Sequence, residues 1–181
     1  RHSLRASAAH WGACLGTCKD GHATVGLNQA GVAVSHIVVD MSCEDFEWLM
    51  GIKLCGVVYC TKAVLPWMTA QNEGASVNIS SVFGIIAVPT QSAYNAAKFA
   101  VRGFTESLRH ELHGTNVKTV CVHPGGIKTN IVASARHYVD PQGHKEKAAI
   151  SDRLQPMSAT TAEQEATADL NHTANKSPPE R

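Results

Sequence analysis

The chain has 181 residues, of which 44% are hydrophobic and 17% charged, and its formal net charge is +1; this is the balance of one ordinary globular domain. With no basic block, the chain lacks the electrostatic footprint of a nucleic-acid-binding protein. Its apolar runs are broken by Lys, Glu, Gly or Pro before about 18 residues, so we expect no membrane-spanning helix, and six cysteines without a small secreted framework indicate reduced thiols in a cytoplasmic protein.

The sequence divides into three zones that differ in composition and in hydrophobic pattern. Residues 1–24 are rich in Ala, Gly, His and Cys and have no steady period, so we treat them as a divergent N-terminal segment. Residues 25–135 alternate between short apolar runs and helical patterns. Residues 136–181 are polar, and we expect the end of this tail to be poorly ordered.

The first half of the middle zone predicts a strand and a long helix. "ATVGLNQAG", from residue 23 to 31, is typical of a short strand that runs into a glycine turn. "SCEDFEWLMGIKLCGVVYCTKAVLPWM", from residue 42 to 68, predicts a helix, and Ser42 with Asp45 form a capping box at its start. Pro66 predicts the end of this helix or a break near it.

The second half predicts strand, helix and strand. "ASVNIS" (75–80) and "VKTVCV" (117–122) are short apolar runs of the kind found in buried strands. "SAYNAAKFAVRGFTESLRHEL" (92–112) has apolar residues on one helical face, and we expect Gly103 in its middle to permit close packing. This alternation predicts an α/β fold with a parallel, doubly wound, Rossmann-like sheet and helices on both faces.

Polar or glycine-rich motifs follow each predicted strand. They are "NQAG" (28–31), "SS" (80–81) and "HPGG" (123–126). In open α/β sheets, ligands bind at the carboxyl ends of the strands. Tyr94 and Lys98 begin the helix after the second of these motifs, and their spacing of four puts them on one helix face.

This set of side chains is suited to proton transfer coupled to hydride transfer. A tyrosine with a pKa near 10 is a poor base at neutral pH, and a nearby ammonium lowers that pKa. A serine hydroxyl can hydrogen-bond a substrate oxygen where charge develops. The hydride must come from a cofactor, because no side chain supplies one.

The ordered motifs "NQAG", "NISS", "YNAAK" and "HPGGIKT" resemble those of the short-chain dehydrogenase/reductase family, with Tyr94 thirteen positions after Ser81. The similarity runs from about Leu27 to Ala135. The resemblance implies an NAD(P)-dependent oxidoreductase that acts on a small alcohol or carbonyl substrate. It also places the variable substrate loop in the residues after Thr129.

The resemblance implies a role for each matching residue. Tyr94 is implied as the general acid/base, Lys98 as the group that lowers its pKa and binds the nicotinamide ribose, and Ser81 as the group that orients the substrate oxygen. The cofactor-binding residues implied in the same way are Asn28, Ala30, Gly31, Tyr94, Lys98, Pro124, Gly125, Ile127 and Thr129. The two long helices are the family's usual homo-oligomer interface.

The chain departs from the family pattern in two places. The family's first Gly-rich turn, T-G-x-x-x-G-x-G, cradles the cofactor pyrophosphate, and the chain has no match to it, so the fold is predicted to be N-terminally incomplete and the choice between NAD and NADP unreadable. Lys53 in "GIKLCGVV" stands where the family has the Asn of its catalytic tetrad. An ammonium accepts no hydrogen bond, which puts the proton path in question.

Two alternatives follow. The chain is either an active oxidoreductase or a truncated, non-catalytic homologue that serves as a partner subunit or is an incomplete gene product. In the N-terminal segment, His10, Cys14, Cys18 and His22 are zinc-ligand types spaced by four, but on a straight helix they span about 18 Å and cannot meet one tetrahedral ion. We therefore expect no metal site.

Overall fold

A computed structural model describes residues 13–19, 22–29, 31–125 and 136–137. The strands are β1 Ala13–Lys19, β2 His22–Gln29, β3 Val34–Ser35, β4 Gly74–Ile79, β5 Val117–Val122 and β6 Arg136–His137. The helices are α1 Cys43–Met50, α2 Gly56–Gln71 and α3 Ser92–Glu111, with a π-helical turn over Gly51–Cys55 and a short 3-10 turn over Val82–Gly84.

The main sheet has the strand order β1-β2-β4-β5. Strands β2, β4 and β5 are parallel, which confirms the predicted α/β fold with a parallel sheet. Strand β1 was not predicted, and it pairs antiparallel with β2, from Ala13 opposite Gln29 to Lys19 opposite His22. A separate parallel pair joins β3 to β6.

Both long helices cover the same face of this sheet. Asn28 and Asn78 lie opposite each other in the β2–β4 register, so their side chains share a face. Asn28 Nδ2 donates to Thr61 of α2 at 3.4 Å, and Asn78 Nδ2 donates to Thr105 of α3 at 3.0 Å. The second helical layer of the predicted fold is not found in the ranges that the structure describes.

The first long helix is longer and less regular than its pattern predicts. Ser42 caps it as predicted, since its Oγ accepts from Asp45 N at 3.0 Å. The prediction that Pro66 ends or breaks the helix was wrong: α2 continues to Gln71, where Asn72 in a left-handed conformation stops it. The helical segment Cys43–Gln71 contains an 18-residue window with a mean hydropathy of 1.4 and is long and apolar enough to cross a membrane, but this is weak evidence because core helices pass the same test.

Helix α3 packs through one apolar face, as predicted. Leu108 joins Met68, Leu112 and Val117 in one buried cluster, and Ala93 and Ala97 join Val34 and Leu49 in a second. The prediction for Gly103 was wrong. The residue is exposed, and within this chain a Cβ at that position would meet nothing within 4 Å outside the helix's own backbone.

Candidate active site

The site begins where β4 ends. Ser80 N donates to Val122 O at 2.8 Å and its hydroxyl donates to Lys98 O at 2.9 Å, so this buried serine ties β4 to β5 and to α3. Ser81 makes neither of these links, and its hydroxyl instead accepts from Phe83 N at 3.2 Å and caps the 3-10 turn. Of the serine pair, Ser81 is therefore the one available to the site.

Tyr94 stands in the first turn of α3, beside the end of β4. Its phenol is hydrogen-bonded to the Ser81 side chain, and its ring meets that of Phe83 edge-on with centroids 6.1 Å apart. The structure thus brings Ser81 and Tyr94 together, two of the three predicted catalytic residues.

Lys98 lies one turn further along α3 and is 4% exposed. Its Nζ donates to Ile79 O at 2.6 Å and lies 5.7 Å from the Tyr94 ring centroid. Burial lowers the pKa of Lys98 to about 8, and Cys121 opposes that effect. The third predicted residue therefore belongs to the same cluster.

The electrostatics differ from what Lys98 alone would produce. Burial raises the pKa of Tyr94, and the hydrogen bond with Ser81 opposes this rise but is the smaller effect. At neutral pH Tyr94 is therefore a neutral phenol, the form that donates a proton.

Lys53 points into the same cluster from the π-helical turn. Its Nζ lies 4.8 Å from the Tyr94 ring centroid, and the residue is 2% exposed. A π turn inserts one residue into an α-helix and is found often at functional sites. Burial holds the pKa of Lys53 well below its usual value, and the charge of Lys98 adds a smaller effect in the same direction.

Two residues that support the site were missed in the sequence. Asn95 Nδ2 donates to Phe83 O at 2.8 Å and to Ile86 O at 2.9 Å, which holds the loop after β4 against α3. At Gly84 a Cβ would overlap the Ser80 hydroxyl and come within 2.8 Å of Lys98 O. An Asn in the first turn of a helix and a Gly in a loop were the only signals, and neither identifies its partner.

Besides Tyr94 and Lys98, seven further cofactor residues were predicted from the sequence. Asn28 is buried, and its Nδ2 donates to Asn78 Oδ1 at 2.7 Å, so its side chain supports the sheet and does not line a groove. Pro124 O accepts from Val82 N at 3.0 Å, which ties the loop after β5 to the site, and Gly31 and Gly125 are exposed. The remaining three lie outside the described residues: Ala30, Ile127 and Thr129.

The described residues fit one end of a dinucleotide. A lysine ammonium has three N–H donors, and the bond to Ile79 O occupies one of those on Lys98. The other donors are suited to ribose hydroxyls beside Tyr94. His123 adds a further link, because its Nδ1 lies 3.0 Å from Ser81 O.

The interpretation of the N-terminal segment as a metal site gains no support. Cys14 and Cys18 lie in β1, where four residues of extended chain separate them by about 13 Å. His22 begins β2, and His10 lies outside the described residues. In the part of the chain that the structure describes, no three His, Cys, Asp or Glu side chains are grouped to hold a metal.

Known proteins that resemble this chain are oxidoreductases by name. It is 54% identical over 110 residues to the protein SadH of Mycobacterium tuberculosis, covering 60% of this chain and 40% of that protein. It is 39% identical to the 3-oxoacyl-[acyl-carrier-protein] reductase FabG of Thermotoga maritima, covering 61% and 45%. The chain thus spans less than half the length of these relatives.

Solved structures and a family model agree with these relatives. A Burkholderia phymatum short-chain dehydrogenase/reductase in complex with NAD matches with a TM-score of 0.76 and 28% identity, covering 86% of this chain and 59% of that one. A Streptomyces avermitilis short-chain dehydrogenase matches with a TM-score of 0.74 and 26% identity, covering 88% and 59%. The family model for short chain dehydrogenases matches residues 9–140. The chain belongs to the short-chain dehydrogenase family.

Proposed function

We propose that this chain carries the proton-transfer half of a nicotinamide-dependent oxidoreductase that interconverts an alcohol and a carbonyl. The observation that carries the proposal is the cluster of Ser81, Tyr94 and Lys98 at the carboxyl end of β4. The phenol keeps its proton at neutral pH and is hydrogen-bonded to a serine. A proton is therefore present at this position for transfer to a carbonyl oxygen.

Each residue has a distinct role in the proposal. The Ser81 hydroxyl binds the substrate oxygen and orients it toward Tyr94. Tyr94 gives its proton to that oxygen in reduction and takes a proton back in oxidation. The remaining N–H donors of Lys98 bind hydroxyl groups of the cofactor ribose.

The cofactor supplies the hydride, which no side chain can provide. Lys98, Tyr94, Pro124 and Gly125 are the described residues proposed to hold its nicotinamide end, together with Ile127 and Thr129. Ala30 and Gly31 are proposed to form the side nearer the adenosine, and Asn28 to support the strand that leads to them. The choice between NAD and NADP stays open, because the Gly-rich first motif that would accompany it has no match in the chain.

For the substrate we propose a small apolar alcohol or carbonyl compound in the cytoplasm. Two groups of exposed side chains near the start of α3 are apolar. The first, after β3, is Ile37, Val38 and Val39, and the second, after the 3-10 turn, is Ile85 and Ile86. His36 N donates to Thr90 O at 3.0 Å, which holds the first of these groups beside the start of α3. Relatives named 3-oxoacyl-[acyl-carrier-protein] reductase and 3-ketodihydrosphingosine reductase support the carbonyl and apolar parts of this proposal.

A non-catalytic homologue is the second candidate, and strand β1 favours it. Because β1 runs antiparallel to β2, the carboxyl end of β1 lies beside the amino end of β2. Ser81 and Tyr94 lie at the other end of the strands. A loop that follows β1 is then on the wrong side to approach a cofactor at the carboxyl ends of β2 and β4. Such a chain would keep the fold without turnover.

Cofactor titration distinguishes the two candidates. NADPH and NADH are each added to the purified chain while nicotinamide fluorescence is followed. The oxidoreductase proposal expects saturable binding of at least one of them. Absence of binding of both up to millimolar concentration would leave the non-catalytic homologue.

Turnover is then tested with matched variants. Tyr94→Phe removes the proton that the proposal uses and is expected to abolish reduction of carbonyl substrates while cofactor binding persists. Tyr59→Phe makes the same change at an exposed position of α2, away from the proposed site, and is expected to leave turnover unchanged. Equal turnover in the two variants would contradict the role proposed for Tyr94.

A further inference from the structure

The Tyr94 side chain is contacted from outside its own helix at its hydroxyl, at its ring edge and over its ring. Its phenol is hydrogen-bonded to the Ser81 side chain, and its ring meets that of Phe83 edge-on with centroids 6.1 Å apart. Lys53 Nζ lies over the Tyr94 ring, 4.8 Å from its centroid. The proton-transfer roles proposed above do not account for this last contact.

The backbone of α3 does not by itself define the plane of the Tyr94 ring. The torsion that joins Cβ to a phenol ring is broad and roughly two-fold, so several ring planes are compatible with one helix position. The hydrogen bond to Ser81 holds the phenolic oxygen, but that oxygen lies on the axis about which the ring turns. A contact over the ring opposes this rotation, and Lys53 Nζ lies closer to the ring centroid than Lys98 Nζ does.

Lys53 is itself held in place by packing. The residue is 2% exposed and belongs to the π-helical turn Gly51–Cys55, which packs against α3. Its neighbour Ile52 and Val57 beyond the turn are buried as well. A side chain that packing has already ordered loses little further freedom when it rests on a ring. The turn therefore presents the amine to Tyr94 from a fixed position.

The contact with the ring is available in both protonation states of Lys53. An ammonium is attracted to the face of an aromatic ring, and the N–H bonds of an uncharged amine interact with such a face more weakly. Burial lowers the pKa of Lys53, and Lys98 adds a smaller effect in the same direction, which favours the uncharged form. Lys53 has an N–H group for the ring in either form.

We propose that Lys53 is a positioning residue for Tyr94: its side chain, packed over the ring, fixes the plane of that ring in the site. The role is exerted on the ring and not on the phenolic oxygen, so Lys53 neither gives nor takes the proton that Tyr94 transfers. This role accounts for a lysine at position 53, because contact with a ring needs an N–H donor and not a hydrogen-bond acceptor.

The use of a fixed ring plane rests on the proposed function. The O–H bond of a phenol lies near the plane of its ring, so the plane sets the direction in which Tyr94 presents its proton to an oxygen at Ser81. Misplacement of a reacting group by about 1 Å costs about a hundredfold in rate. The fixed plane is a property of the unliganded chain, so it is tested without cofactor or substrate.

The first test needs no lysine variant to fold. Protons held over an aromatic ring resonate upfield in nuclear magnetic resonance. In the chain with isotope-labelled lysines, the ε-methylene protons of Lys53 are expected upfield of those of the exposed Lys62, and Tyr94→Leu is expected to abolish that difference. Lys53 signals that coincide with those of the exposed lysines, or that do not move in Tyr94→Leu, overturn the proposal.

The second test measures the rotation of the Tyr94 ring by the same method with labelled tyrosines. Tyr94→Phe identifies the signals of this ring by their loss. Lys53→Ala is expected to speed the rotation by about tenfold, the scale of one contact between an amine and a ring. Lys53→Met keeps the stem without its N–H bonds and is expected to have a smaller effect. Rotation in Lys53→Ala as slow as in the exposed control Lys62→Ala overturns the proposal.

The third test is turnover, and it separates this inference from the proposed function. Lys53→Ala is expected to lower kcat for carbonyl reduction by about ten- to a hundredfold without weakening cofactor binding, because the ring plane acts on proton transfer alone. An unchanged kcat, or a loss of cofactor affinity that explains the whole effect, overturns the positioning role. A chain that binds no cofactor ends the proposed function, and the two resonance tests then decide this inference.

Discussion

At the scale of single residues, Tyr94 is a phenol whose neighbours act on its proton in opposite directions. Burial favours the protonated form, and Ser81 favours the phenolate. Lys98 stands close enough to the ring to matter, but its own charge is destabilised by burial. The balance in the unliganded chain is a tyrosine ready to donate and a lysine near its titration point.

Lys98 should make stability depend on pH in the mildly alkaline range. Its pKa is about 8 in the folded chain against an ordinary value of 10.5, so the unfolded chain binds more protons between these two limits. The free energy of unfolding therefore rises as pH increases through this window, by up to about 3 kcal/mol. Urea unfolding at pH 7.5 and about 9.5 measures the rise as a difference from Lys98→Met.

In that variant the rise should be smaller, since the charge that burial destabilises is gone. The comparison cancels the groups that titrate in the same range independently of Lys98. Equal slopes with pH in the two proteins would mean that the folded environment leaves the Lys98 ammonium well solvated.

Two glycines should respond in opposite ways to the same added methyl group. Gly84→Ala is expected to lower the free energy of unfolding by about 1 to 3 kcal/mol, because its Cβ would overlap Ser80 and approach Lys98 O. Gly103→Ala is expected to raise it by about 1 kcal/mol, because the site is open and helical. Chemical unfolding measures both, and a loss at Gly103 would reveal a close neighbour there.

At the scale of elements, a series of hydrogen-bonded polar side chains joins the sheet to both helices. Asn28 on β2 donates to Asn78 on β4, and Asn78 donates to Thr105 on α3, which in turn donates to Val101 O at 2.7 Å. The three side chains are buried. Because buried polar groups need partners, this series of hydrogen bonds fixes how the helices lie on the sheet, and thus where Tyr94 lies relative to Ser81.

Asn78→Ala should therefore cost more than an ordinary surface change. It leaves buried groups of Asn28 and Thr105 without their partner, and we expect the free energy of unfolding to fall by about 2 to 4 kcal/mol. Asn116→Ala, at an exposed position, is the matched control and should stay within about 0.5 kcal/mol. Similar values for the two variants in urea unfolding would show that water replaces the lost partners.

The elements that the sequence predicted are those whose packing leaves a repeating pattern. Strands β4 and β5 and helix α3 were placed within a residue or two, because their apolar residues recur with the period of each structure. Strand β1 was missed, since "ACLGTCK" has no alternation and its pairing with β2 is a tertiary choice. The end of this helix was placed wrongly at Pro66 because the packing around α2 accommodates a proline that would break an isolated helix.

The site was predictable to the same extent. Ser81, Tyr94 and Lys98 form a spaced pattern that resembles a family, whereas Asn95 and Gly84 serve contacts between segments distant in sequence. The pKa of Tyr94 could not be read at all, because burial depends on the packing of every neighbour. Lys53 was recognised as a departure, but not as a group that contacts the ring.

At the scale of the whole molecule, the outer side of the long helices carries exposed apolar side chains. The largest are Tyr59 and Trp67 on α2 and Phe99 on α3, with 48%, 62% and 42% of their surface exposed. Ala63 and Ala96 are exposed near them. Because contiguous apolar surface marks interaction sites, we propose that a second copy of the chain packs there.

The combined change Trp67→Asp and Phe99→Asp should convert that homo-oligomer into monomers. A charge buried at an apolar interface opposes association, while it costs little where the residue faces water. Sedimentation at micromolar concentration measures the mass, and His113→Asp, in the exposed turn after α3, controls for added charge. Monomers of the unchanged chain would contradict the proposal.

The π-helical turn at Gly51–Cys55 also determines the rotational phase between α1 and α2. A single inserted residue rotates everything beyond it by about 100° around the helix axis, since an α-helix has 3.6 residues per turn. Deletion of the exposed Gly51 would let the segment close into one regular α-helix and turn Lys53 away from Tyr94 without changing either residue. The contact between Lys53 and Tyr94 thus depends on the one residue inserted in the π turn as much as on the lysine itself.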